Sequence, residues 1–190
     1  MSLINRKQWR VAAAAVAAVA AVLTPAATLA APGHPAGRAA ASPPGCTTSH
    51  LRVWLGVPGE GAASSIYYQL ELSNVSSHTC TLIGYPGVSA VAPGGAQLGS
   101  AAARDHGDPK LLVTLSPGAT SHVLLQIVSV GVFPQSTCQP ANAYGLKVYP
   151  PNNTAATTVY FPFQACAKTG PVFLTVRTTV AGTGIPGFST

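Results

Sequence analysis

The chain has 190 residues, 47% hydrophobic and 7% charged, with 19 glycines, 17 prolines and a formal charge of +6. Four acidic residues in the whole sequence leave little for catalysis by paired carboxylates, and cations without a cluster exclude a nucleic-acid face. The length suits one domain of ordinary size with flanking segments.

The first ten residues carry Arg6, Lys7 and Arg10 and no acid. An alanine- and valine-rich run follows, interrupted by Pro25, and ends in Thr28-Leu29-Ala30. This order of charged, apolar and small residues predicts a cleaved secretory signal over 1–30. A retained membrane anchor is the rival reading, because the run approaches the length of a spanning helix. Alanine is only weakly apolar, and Pro25 breaks a helix, so export is expected. No cysteine follows the run to take a lipid, and no stable membrane insertion is expected after cleavage. Removing 1–30 takes away three cations and no acid, so +6 becomes +3.

Residues 31–45, rich in Pro, Ala and Gly, read as a flexible linker. From Cys46 the texture changes to short alternating runs. One face of 50–57 collects Leu51, Val53, Leu55 and Val57, with Arg52 and Trp54 opposite. In 65–74, Ile66, Tyr68, Leu70 and Leu72 face inward and Tyr67, Gln69 and Glu71 outward. Leu111, Val113 and Leu115 repeat the pattern, as do Val172, Leu174, Val176 and Val180. Period two over this many segments signals half-buried strands. Val123, Leu124, Leu125 and Ile127 are apolar on both faces and mark a central strand. Residues 144–150 and 157–163 complete the set, with Pro162 placing the latter at an edge or a bulge. Pro-Gly pairs at 58–59, 86–87, 93–94 and 117–118 predict type II turns. The expectation is an all-β, antiparallel sandwich of about 7–9 short strands over 46–180, almost without helix, followed by a flexible tail over 181–190.

Four cysteines in an exported chain predict two disulfides among three connectivities. Pairing sequence neighbours gives Cys46–Cys80 and Cys138–Cys166; Cys46–Cys166, tying the two ends of the domain, stays open. The corner Cys80–Gly99 is expected to be structural. Tyr85 precedes Pro86, where its ring can pack on the proline, and Gly87 is expected at the positive-φ position of a turn.

The run from Asn74 to Val88, "NVSSHTCTLIGYPGV", resembles an exported actinobacterial family catalogued as a domain of unknown function, number 4232. So do the Leu-Ser-Pro-Gly turn at 115–118 and the late "CAKTGPVFLTV" from Cys166. The resemblance spans about residues 46–180. It implies an immunoglobulin-like β-sandwich and export, and it implies no activity. Many members of the family look like lipoproteins; the absence of a lipid-anchor cysteine departs from that pattern.

Chemical motifs are sparse. The Gly182–Gly187 stretch matches G-x-G-x-x-G but lacks the following helix that a dinucleotide site needs. Arg104–Asp108 reads as a solvated loop. No G-x-S-x-G elbow is present. No catalytic residue, cofactor or metal ligand is therefore assigned, and the chain is not expected to be an enzyme. The expected role is an extracellular binding or interaction module, presenting outward Trp54, Tyr67, Tyr149, Tyr160 and Phe173 to a cell-wall glycan or a protein partner. The alternative is a cryptic hydrolase or metal carrier that assembles His50, His78 or His122 with Asp105 or Asp108.

Overall fold

The structure, a computed structural model, describes residues 41–185. The signal 1–30, most of the linker and the last five residues of the tail lie outside the described residues. The linker's end is fixed: Pro44 O accepts the Thr81 N–H at 2.8 Å, and Gly45 pairs in parallel with Thr81.

The chain forms β1 (Leu51–Ala62), β2 (Ser65–Asn74), β3 (Cys80–Ile83), β4 (Gly87–Val91), β5 (Gln97–Leu98), β6 (Ala103–Arg104), β7 (Leu112–Leu115) and β8 (Thr120–Val128). After these come β9 (Pro140–Tyr149), β10 (Thr157–Cys166), β11 (Leu174–Val176) and β12 (Val180–Ala181). These twelve segments exceed the expected seven to nine because β5, β6 and β12 are two-residue pairings. Among the described residues, helix amounts to one turn, Gln135–Cys138, and two 3-10 turns.

One sheet runs β1-β2-β8-β11-β6, with β12 also on β8; the other runs β10-β9-β4-β5, and β3 pairs with β7. The expected central strand, 120–128, does lie in the middle. Between the named strands, pairing is antiparallel except for the short β11–β6 contact. The core lies between the sheets: Leu70, Leu72, Leu125 and Leu174 from the first meet Val88, Ala90, Leu146 and Val148 from the second. Each fully buried aliphatic side chain of this kind contributes about 1.5–3 kcal/mol.

Both neighbour disulfides form, Cys46–Cys80 and Cys138–Cys166. They close loops of 34 and 28 residues, each worth roughly 3–4 kcal/mol in the chain-entropy model. Asn74 is fully buried and closes the β2–β3 connection. Its Nδ2 donates to His78 O and Leu115 O, while its Oδ1 accepts from Ser76 N and Oγ.

Three Pro-Gly expectations need correction. Pro58-Gly59 lies inside β1, where the register shifts between Gly56 and Glu60. The β1–β2 reversal is made instead by Ala63 and Ser64, both at positive φ (43° and 66°), as a two-residue type I′ turn requires. Gly87 begins β4 opposite Tyr149; the positive-φ residue of that corner is Gly84, at 93°. In the 92–96 turn, Gly95 rather than Gly94 takes the positive φ, 81°. Pro117-Gly118 behaves as expected, with Gly118 at φ 81° and Ala119 N–H donating to Ser116 O.

Alternation also fails at element ends. Leu111 precedes β7 and is exposed; Ile66 is exposed at the hairpin tip. Val172 and Val180 are exposed too. Before Val180, Thr178 and Thr179 are both buried, held by hydroxyl bonds to Gly84 O, and that irregular step reverses the faces. The outward residue Glu71 is fully buried, because Gly182–Ile185 cross over it.

Candidate functional site: an aromatic and basic face

The outer face of the four-stranded sheet concentrates aromatic side chains. Tyr144 on β9 and Tyr160 on β10 stack edge to face at 5.0 Å between ring centroids. They are 43% and 67% exposed, enough for a ligand to lie against both rings. Ordinary alternation would turn Tyr144 inward with Leu146. It does not, because β10 carries an extra residue around Pro162: Tyr160 pairs with Gly145 and Phe163 with Ala143. The bulge re-aims Tyr144 to the outside. Gly145 permits this close approach, since a Cβ there would meet the backbone of Val159 and Phe161.

Along β9 the face continues to Lys147, whose Nζ lies 5.5 Å from the Tyr149 ring centroid. Tyr149 in turn lines a cleft of about 400 Å³ with Ile83, Tyr85, Arg104, Lys110 and Asn152. Tyr85 is almost fully buried in its wall. Its ring meets His106 edge to face at 5.2 Å. Arg104 lies 5.8 Å and Lys110 Nζ 5.6 Å from the same centroid, within cation–π range. The corner is pinned from behind by Gly84 O, which accepts the Thr179 N–H and hydroxyl, both at 2.9 Å.

The nearest acids are turned away from this cleft. Asp105 accepts from Arg177 Nε at 3.1 Å, and Asp108 lies 3.7 Å from Arg177 Nη1. The Gly107 N–H holds the Asp105 carboxyl below its ordinary pKa, aided by Arg177.

The expected binding residues separate. Tyr149 and Tyr160 belong to this face. Trp54 and Tyr67 are half-buried on the other sheet, where Trp54 Nε1 donates to Ser73 Oγ at 3.1 Å. Phe173 is a correction: it is fully buried. It precedes β11 and packs against Gly99, whose φ of 62° and lack of Cβ let the ring in. Tyr144, Lys147, Arg104 and Lys110 were not assigned from sequence; the proline in the partner strand of Tyr144 is the one signal that pointed to it.

A larger cleft, about 600 Å³, opens at the β1–β2 hairpin tip, between Ile66, Tyr68, Ile127, Val130, Phe161 and Phe163. Among the described residues no charged side chain lines it. The residues of the hydrolase or metal alternative do not converge. His50 and His78 flank the β2–β3 connection, His122 Nδ1 lies 2.8 Å from Gly182 O, and Asp105 is held by Arg177. Among the described residues no three His, Cys, Asp or Glu side chains form a metal-holding group, and no helix is long and apolar enough to cross a membrane.

Residues 46–182 match the family described as Domain of unknown function (DUF4232). The chain belongs to this family. The match begins at Cys46 and ends at Gly182, so it takes in both disulfides, the corner at Tyr85 and the whole aromatic face. No curated protein and no solved structure matches the chain.

Proposed function

We propose that this DUF4232 domain is an exported, non-catalytic binding module that holds a saccharide of the cell exterior against the outer face of β9 and β10. The observation that carries this reading is the exposed Tyr144–Tyr160 pair on a rigid sheet. Sugar rings present apolar C–H faces and polar edges, and tyrosines offer the matching combination of ring and hydroxyl at low entropic cost. Export is supported by the charged and apolar N-terminal pattern and by the two disulfides, which persist in oxidising compartments.

Co-sedimentation of the purified chain with insoluble wall polysaccharide tests the reading. Tyr160→Ala and Tyr144→Ala are expected to lose most of the bound fraction while keeping the parent melting temperature. Binding that survives both substitutions, or an absence of binding by the parent, would refute it.

A further inference from the structure

Cations are scarce in the described domain: Arg52, Arg104, Lys110, Lys147, Lys168 and Arg177. Arg104, Lys110 and Lys147 gather at one end of the tyrosine face. Arg104 ends β6, Lys110 lies in the loop that follows and Lys147 is on β9, and all three sit over Tyr85 or Tyr149, which wall the same cleft. The acids on that loop, Asp105 and Asp108, are both engaged by Arg177. Among the described residues no carboxylate lines the cleft. Two cations lie within 6 Å of a single ring and line the same cleft, so an oxyanion seated in it is attracted by both. A guanidinium meets a carboxylate or phosphate through a planar fork, whereas the lysines act as point charges.

We propose that Arg104, Lys110 and Lys147 select an anionic saccharide, with its carboxylate or phosphate in the cleft beside Tyr85 and its rings running over Tyr149 toward Tyr144 and Tyr160. This deepens the saccharide-binding reading and rests on it. The tyrosines supply contact common to all sugars; the three cations discriminate for charge. Exposed charges are screened by salt, so affinity falls as ionic strength rises.

Binding is measured by calorimetry against three soluble polymers of similar length: polygalacturonate, poly(glycerol phosphate) and neutral dextran. Polyanion binding at low salt, at least ten-fold tighter than dextran binding and weakened by 0.5 M NaCl, is expected. Preference for polygalacturonate makes the carboxylate the ligand group, and preference for poly(glycerol phosphate) the phosphodiester; either supports the proposal. Lys110→Gln and Arg104→Gln should each weaken polyanion binding about three- to ten-fold. Lys168→Gln serves as control, because Lys168 Nζ is engaged by Ser136 O elsewhere. It should leave binding unchanged. All of these residues are exposed, so the variants should melt with the parent. Equal affinity for dextran and the polyanions overturns charge selection and leaves the tyrosine reading standing. Equal losses in Lys168→Gln and Lys110→Gln reduce the effect to general charge and overturn the site. Failure to bind all three polymers overturns the proposal together with the reading beneath it.

Discussion

Gly184 donates its backbone N–H to Glu71 Oε1 at 3.0 Å, across 113 residues of sequence. The contact brings the C-terminal segment down onto the outward face of β2. A Cβ on Gly184 would lie 2.5 Å from Gln69 Cδ, and a Cβ on Gly56 would lie 2.8 Å from Ile185 Cδ1. Gly184 of the G-x-G-x-x-G match thus serves close packing. Beneath the segment, Glu71 Oε2 and Gln69 Oε1 are buried and have no hydrogen-bond partner among the described residues. His122 faces Glu71 from β8, Trp54 faces it from β1, and the His122 ring is engaged by Gly182 O.

Burial raises the Glu71 pKa above its ordinary 4.5, opposed by the Gly184 N–H and His122. Between pH 4.5 and the folded value, the unfolded chain is ionised while the folded chain keeps its proton. The stability linked to this proton is fully present below pH 4.5 and lost as pH rises through the folded value. Glu71→Gln keeps the acceptor for Gly184 and removes the buried charge. Thermal unfolding should therefore show a gain of a few degrees at pH 7, from about 1–2 kcal/mol, shrinking to nothing near pH 4. A gain independent of pH would contradict this account.

The Tyr85 corner depends on Gly84 rather than Gly87. Gly84→Ala places a Cβ in ordinary contact with Lys110 Cδ, at 3.9 Å, but forces alanine to φ 93°. The expected cost is about 1–3 kcal/mol. Gly87→Ala meets only ordinary contacts at 3.5 Å with Tyr149 and should melt within a degree or two of the parent. Urea unfolding of the two variants side by side checks the order.

Phe173 is a core residue, so Phe173→Ala should cost about 3–5 kcal/mol. At a temperature where the variant remains folded, its saccharide binding should equal the parent's. Loss of binding with unchanged stability would restore Phe173 to the binding surface.

Gly145 couples the fold to the site. A Cβ there would contact Val159 O and lie 3.1 Å from Phe161 N, and backbone atoms in a sheet cannot step aside cheaply. Gly145→Ala should destabilise by at least about 2 kcal/mol. It should also weaken binding by shifting Tyr144 relative to Tyr160, a loss that Tyr144→Phe would not reproduce.

Where residues were legible in sequence, the information was local. Alternation located Leu70, Leu72, Leu174 and Val176 because period two is set by the strand itself. Neighbouring cysteines paired because sequential segments tend to pack side by side. Burial of Glu71 was illegible, since its cover arrives from residue 184. Phe173 was misread for the same reason: the cavity that accepts it is opened by Gly99 on a distant loop. Of the face, Tyr149 and Tyr160 follow from alternation, while Tyr144 depends on a bulge in the neighbouring strand. The meeting of Arg104, Lys110 and Lys147 joins the end of β6, the loop after it and β9, and no pattern along the chain encodes it.

The two long outer strands share one device. β1 breaks register between Gly56 and Glu60, and β10 between Tyr160 and Phe163. Each break contains a proline, Pro58 or Pro162. An uninterrupted outer strand offers a row of free amide groups to any passing chain, and stacking of copies begins there. Here the row is cut twice, and at each proline a donor is missing. Two copies of the domain meeting edge to edge therefore find no unbroken row of amide groups along which to zip together through the backbone.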